Sequence, residues 1–147
     1  MVRKFLVLIA GTLVLSTLFP AGCSRSGSNA INEKVSSQLL TQINLRKEQM
    51  ANPTPDRLEM MKNMGMRVDN LKIQRIFIHL TQELNPSQIN ELRAMGITLY
   101  LDSWVPAVGG HPTGFLLADM PVDRLRELAE KDFVVRLETA ERELKPQ

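Results

Sequence analysis

Cysteine occurs once in the 147 residues, at position 23, so no intrachain disulfide staples this protein and its fold rests on an apolar core. Histidine occurs twice, as His79 and His111, 32 positions apart with no cysteine nearby, which matches no zinc-ligand spacing. There is no Gly-x-Ser-x-Gly elbow, and Gly109-Gly110 has neither the strand-to-helix setting nor the lysine of a phosphate loop. Asp102, Ser103 and Asp119 form no nucleophile, base and orienter with either histidine. No catalytic residue, metal ligand or cofactor is assigned, and an enzyme acting through His79 or His111 is a reading of another class, to be tested by substitution. A large charge of one sign is also missing. The chain has 18 Lys and Arg against 16 Asp and Glu, and without Arg3 and Lys4 the counts are 16 and 16. A neutral domain has no general attraction for nucleic acid or anionic lipid.

What the sequence does contain begins with a targeting segment. Arg3 and Lys4 precede an apolar run over residues 5–19, which is 15 residues long, short of the roughly 20 that a membrane-spanning helix needs. Residues 1–22 therefore read as a secretory signal. Ala21-Gly22 before Cys23 resembles the lipobox of bacterial lipoproteins, although Pro20 stands where leucine is usual. The resemblance implies that Cys23 is lipidated and that the chain is extracytoplasmic, tethered to a bacterial membrane. The alternative is an ordinary signal peptide that leaves a free thiol. Residues 23–30 read as the lipidated cysteine and a flexible tether.

Residues 31–66 read as helical. Ile31, Val35, Leu39, Ile43 and Met50, with Leu40 beside them, recur mostly at four-residue steps and predict an amphipathic helix of about 20 residues. Asn52-Pro53-Thr54-Pro55 ends it. Thr54 then caps a shorter helix opened by Pro55, with Leu58, Met61 and Met64 as its stripe and Gly65 as its stop. The clustered methionines fit core packing better than copper chemistry. Residues 66–68 read as a small strand.

Residues 67–140 carry the central unit. Ile76, Ile78 and Leu80 alternate with Arg75, Phe77 and His79, the period of a half-buried strand. Asn85, Pro86 and Gln88 give a capped helix start, Leu84 is placed to staple on Ile89, and Gly96 gives the stop. Ile97, Leu99 and Leu101 then alternate with Thr98, Tyr100, Asp102 and Trp104, and a Gly/Pro-rich loop over residues 106–113 predicts a hairpin into a third strand at 115–120. Pro121 opens a second helix with Val122, Leu125, Leu128 and Ala129 on one side, and residues 133–138 read as a fourth strand. The order β-α-β-β-α-β predicts an α+β, ferredoxin-like antiparallel sheet with two helices on one face.

The run Gly114-Phe115-Leu116-Leu117-Ala118-Asp119-Met120-Pro121-Val122-Asp123-Arg124-Leu125-Arg126-Glu127-Leu128-Ala129, with Val134-Val135-Arg136-Leu137-Glu138, resembles the propeptide domain of subtilisin-like serine proteases. Glu91-Leu92-Arg93-Ala94-Met95-Gly96-Ile97 is similar to that family's first helix and second strand. The resemblance covers about half the chain and implies a sheet face that docks on a protease surface. It also implies a C-terminal tail that enters the active-site cleft, here Glu141, Arg142, Glu143, Leu144, Lys145, Pro146 and Gln147, residues 141–147.

Strand alternation places Phe77, His79, Tyr100, Trp104, Val134 and Arg136 on the sheet face away from the helices, and the chain's sole Trp and Tyr are both among them. Exposed aromatic patches mark contact sites. The other expectation for this face is that the helix over residues 31–50 folds back and covers it. The leading functional reading is a non-enzymatic, membrane-anchored protein-interaction module, inhibiting or chaperoning a subtilisin-like protease. The alternative is a structural or spacer envelope lipoprotein that self-associates through its N-terminal helix.

Overall fold

The computed structural model describes residues 26–142; the signal segment, Cys23 and residues 143–147 of the tail lie outside them. It is a mixed α+β structure of five helices and one four-stranded sheet. The elements run α1 (Ser26–Lys34), α2 (Ser37–Ala51), α3 (Pro55–Asn63), β1 (Ile73–Leu80), α4 (Pro86–Ala94), β2 (Thr98–Val105), β3 (Gly114–Pro121), α5 (Leu125–Ala129) and β4 (Val134–Thr139), with a 3₁₀ turn at Val122–Arg124 leading into α5. The strands are ordered β2-β3-β1-β4, and each neighbouring pair is antiparallel.

Local chemistry explains the helix boundaries. Asn85 and Gln88 form a reciprocal capping box at α4, with Pro86 in the first turn. The Thr54 hydroxyl accepts the Arg57 amide at α3, and positive φ angles at Gly65 and Gly96 turn the chain after α3 and α4. The single long N-terminal helix expected from periodicity is instead two helices. At the break Val35 pairs with Leu137 in an isolated parallel bridge, the Ser36 amide donates to the Leu137 carbonyl, and the Ser36 side chain caps α2. This step covers the free edge of β4, which otherwise would present unpaired backbone groups. Helix α1 occupies residues expected to be a flexible tether, and residues 66–68 form no strand.

One core joins the sheet to the helices. Ile76, Ile78, Leu80, Leu116, Ala118, Met120 and Leu137 supply its floor, and Val35, Leu39, Ile43, Leu92, Met95, Leu125 and Leu128 its cover. The strand residues in this core share one alternation parity in β1 and β3, so α1, α2, α4 and α5 all lie on the same side of the sheet. Helix α2 does not fold back over the other face. Val35, Leu39 and Ile43 of the expected stripe are buried in the core, Ile31 and Leu40 are partly buried against it, and Met50 is exposed.

Candidate functional site

The sheet face opposite the helices is the candidate site. On β1 it presents Arg75, Phe77 and His79, and on β3 Phe115, Leu117 and Asp119, all half-buried. None of them belongs to the core that the helices cover. Phe77 and Phe115 meet edge to face with ring centres 5.3 Å apart, a favoured geometry for an aromatic pair. His79 lies 6.0 Å from Phe115.

Towards the start of β1 the face is charged. Arg75 Nε and Nη2 donate to Asp119 Oδ1 and Oδ2 at 2.8 and 3.0 Å, a bidentate fork. The Tyr100 hydroxyl donates to the same carboxylate at 2.8 Å, and the Arg75 guanidinium sits 5.3 Å above the Tyr100 ring. Hydrogen bonding to Arg75, then to Tyr100, holds the Asp119 carboxyl below its ordinary pKa despite partial burial, and the Asp119 bond raises Arg75 above its own. Arg67 approaches Asp119 at 3.4 Å and Asp69 at 3.2 Å.

At the other end the loop after β2 bends over the sheet. His79, Val105, Val108, His111 and Phe115 are among the residues that line a cavity of about 250 Å³ there. Phe77, His79, Phe115, Glu138 and Arg142 line an adjoining hollow of about 180 Å³. The two histidines, distant in sequence, therefore share one cavity, yet among the described residues no group of three His, Cys, Asp or Glu side chains is placed to hold a metal ion. Glu138 is shared: Arg136 reaches it at 2.9 Å, His79 at 3.3 Å and Arg142 at 3.6 Å. The His79 contact misses hydrogen-bond geometry, so Nε2 is buried without a hydrogen-bond partner among the described residues.

Of the residues expected on this face, Phe77, His79, Tyr100 and Arg136 are there, and Trp104 and Val134 are not. Trp104 packs with the core and lines a hollow beside Leu84, Ile89 and Leu116. The cause is a bulge: Tyr100 pairs with Leu117, but the next pair is Val105 with Phe115, so the extra residues break the alternation. Ser103 stabilises it, its hydroxyl donating to the Tyr100 carbonyl at 2.6 Å and accepting the Leu117 amide at 2.9 Å. Gly114 completes the arrangement, since a Cβ there would collide with the Trp104 ring and the Val105 carbonyl. Val134 is buried in the core because a register shift between His79 and Leu80 adds a residue to β4 and returns Val134 to the helix side.

Glu141 was expected in a free tail and is instead buried at 4% exposure. Its carboxylate pairs with Arg46 and accepts the Arg67 and Arg75 amides at 2.9 and 3.0 Å. Gln42 donates to its carbonyl at 2.9 Å, and Gln42, Gln74 and Thr139 complete a buried polar network under the sheet. Sequence reading missed this group. The available signal was Arg46, a charged residue one turn after Ile43 on the apolar stripe of α2. Arg142 is exposed, and no described helix is long and apolar enough to cross a membrane.

Comparison of the chain with protein families, with curated proteins and with solved structures gives no match.

Proposed function

We propose that this chain is a non-enzymatic protein-interaction module of ferredoxin-like topology, held at a bacterial membrane from outside the cytoplasm by lipidated Cys23, and that its open sheet face is the docking surface. The topology is supported by the β-α-β-β-α-β order and the β2-β3-β1-β4 antiparallel sheet. The observation that carries the functional reading is the uncovered face itself. Every helix in the core packs on one side, while the Phe77–Phe115 pair sits between charged ends on the other. Such a centre with a polar rim is the usual anatomy of a specific interface, and an interface of standard size needs about 800 Å² from each partner.

The narrower form of this proposal is that the partner is a subtilisin-like protease, inhibited or chaperoned by the module. Trp104 and Val134 drop out of the docking face and Glu141 out of the tail. The contacting set becomes Phe77, His79, Tyr100, Phe115 and Arg136, with the tail starting at Arg142. The full chain in detergent, incubated for hours with a panel of subtilisin-like proteases, is expected to inhibit at least one at submicromolar concentration. Phe77→Ala or Tyr100→Ala is expected to weaken inhibition at least tenfold while the chain stays folded. Absence of inhibition by the folded chain would remove the protease version, and inhibition unaffected by both substitutions would remove the sheet face as its site.

A further inference from the structure

Between the loop after β2 and strand β1, the open face carries a depression with a composition of its own. Its walls include Val105, Val108 and Phe115, and Val108 is 61% exposed at the rim. At about 250 Å³ the cavity falls below the roughly 300–1,000 Å³ of small-molecule sites, and its scale suits one bulky side chain. Interfaces concentrate their energy in such anchors, a large apolar group seated in a pocket and ringed by weaker contacts.

Two further observations define the occupant. His79 lines both this cavity and the hollow next to it, and its buried Nε2, 3.3 Å from a Glu138 carboxylate oxygen, makes no hydrogen bond among the described residues. An imidazole nitrogen left this way gains from any donor or acceptor brought to it, and a peptide backbone offers both. In the adjoining hollow, one carboxylate, Glu138, serves two guanidiniums. The Arg136 and Arg142 side chains remain 58% and 54% exposed, so among the described residues this end sets two guanidiniums against one carboxylate.

We propose that the cavity is an anchor pocket for an extended segment of a partner protein that presents one large apolar side chain with a carboxylate beside it. The apolar group enters between Val105, Val108 and Phe115, the backbone meets His79, and the carboxylate is met by Arg136 and Arg142. This rests on the reading of the open face as a docking surface and adds the chemistry of what docks.

The test uses the isotope-labelled full chain in detergent micelles and three blocked tetrapeptides: phenylalanine followed by glutamate, phenylalanine followed by lysine, and serine followed by glutamate. The first is expected to shift the His79, His111 and Phe115 signals and to bind at least tenfold more tightly than the other two. Val108→Asp, at an exposed rim position, should weaken it at least tenfold without unfolding the chain. The Arg136→Ala, Arg142→Ala double variant should abolish the preference for glutamate over lysine. Equal binding of all three peptides would overturn the proposal, as would zinc chloride moving both imidazoles while the peptides leave them unmoved. If the peptides fail but protease inhibition remains sensitive to Phe77→Ala, only the anchor pocket falls; if both fail, the docking face falls with it.

Discussion

Two arginine–carboxylate pairs lie on opposite faces of the same sheet, and their surroundings assign them different work. Arg46 and Glu141 sit on the helix side, with side chains 0% and 3% exposed. Arg75 and Asp119 sit on the open side, 32% and 15% exposed. The covered pair is enclosed by Gln42, Gln74 and Thr139, so each polar atom has been removed from water and must find its partner within the fold. The open pair keeps contact with solvent and with the Tyr100 ring above which it lies. A buried pair fixes the position of the elements that carry it; a half-exposed pair is a surface that another molecule can meet.

The comparison breaks if the covered pair can be removed cheaply. Arg46→Ala leaves Glu141 a buried charge and strands the Gln74 amide oxygen and the Asn70 carbonyl, so the expected loss is about 3–5 kcal/mol in chemical denaturation. Because Arg46 and Glu141 tie α2 to the segment after β4, release of that segment should raise its proteolysis. A loss below about 1 kcal/mol would mean that water or relaxation compensates and that the network is not what positions the end of β4.

The next effect concerns the open side, where sequence reading lost its accuracy. Parity was legible in β1, whose alternation is uninterrupted, and the caps at Thr54 and Asn85 were legible because each needs only a few adjacent residues; the alternation of β3, which puts Phe115 and Leu117 on the open face, was there to be read and was passed over. The face of Trp104 was not. It depends on a bulge in β2 whose cause, the Ser103 hydroxyl replacing a ladder partner, involves Leu117 on another strand. Val134 was misplaced for the same reason, by an extra residue in β4 where it pairs with His79 and Leu80 of β1. Arg46 was passed over because a charge on a helix invites a solvated reading until its partners, 28 and 95 positions away in sequence, are known. Long-range polar pairing and bulges have no period, so hydrophobic periodicity carries no trace of them.

Ser103→Ala sharpens this point. It leaves the Leu117 amide without its acceptor, and a lost partner of that kind costs about 1–2 kcal/mol. The measurement is amide hydrogen exchange at Leu117 together with denaturant unfolding. Faster exchange at Leu117, with α2 and β4 unaffected, is the expected result. Unchanged exchange would show that backbone pairing, and not the hydroxyl, holds the bulge and turns Trp104 to the core.

The smallest effect is expected at the open pair, and its pH dependence separates it from the covered one. Asp119→Asn removes the charge that Arg75 and Tyr100 both contact, yet the pair is partly hydrated, so the loss near pH 7 should be about 1 kcal/mol or less. The folded-state pKa of Asp119 lies below the ordinary value of 3.8, so the folded protein binds the Asp119 proton less readily than the unfolded chain. Its contribution is therefore complete above about pH 5 and is lost as pH falls through the depressed folded value. The stability gap between the natural chain and Asp119→Asn should be flat from pH 7 to 5 and close below pH 4. A gap that persists at pH 2 would assign the loss to altered packing under Tyr100 instead of charge. Binding then reads the other half of the comparison: a substitution this mild for the fold should still weaken partner capture if the open face is the surface that docks.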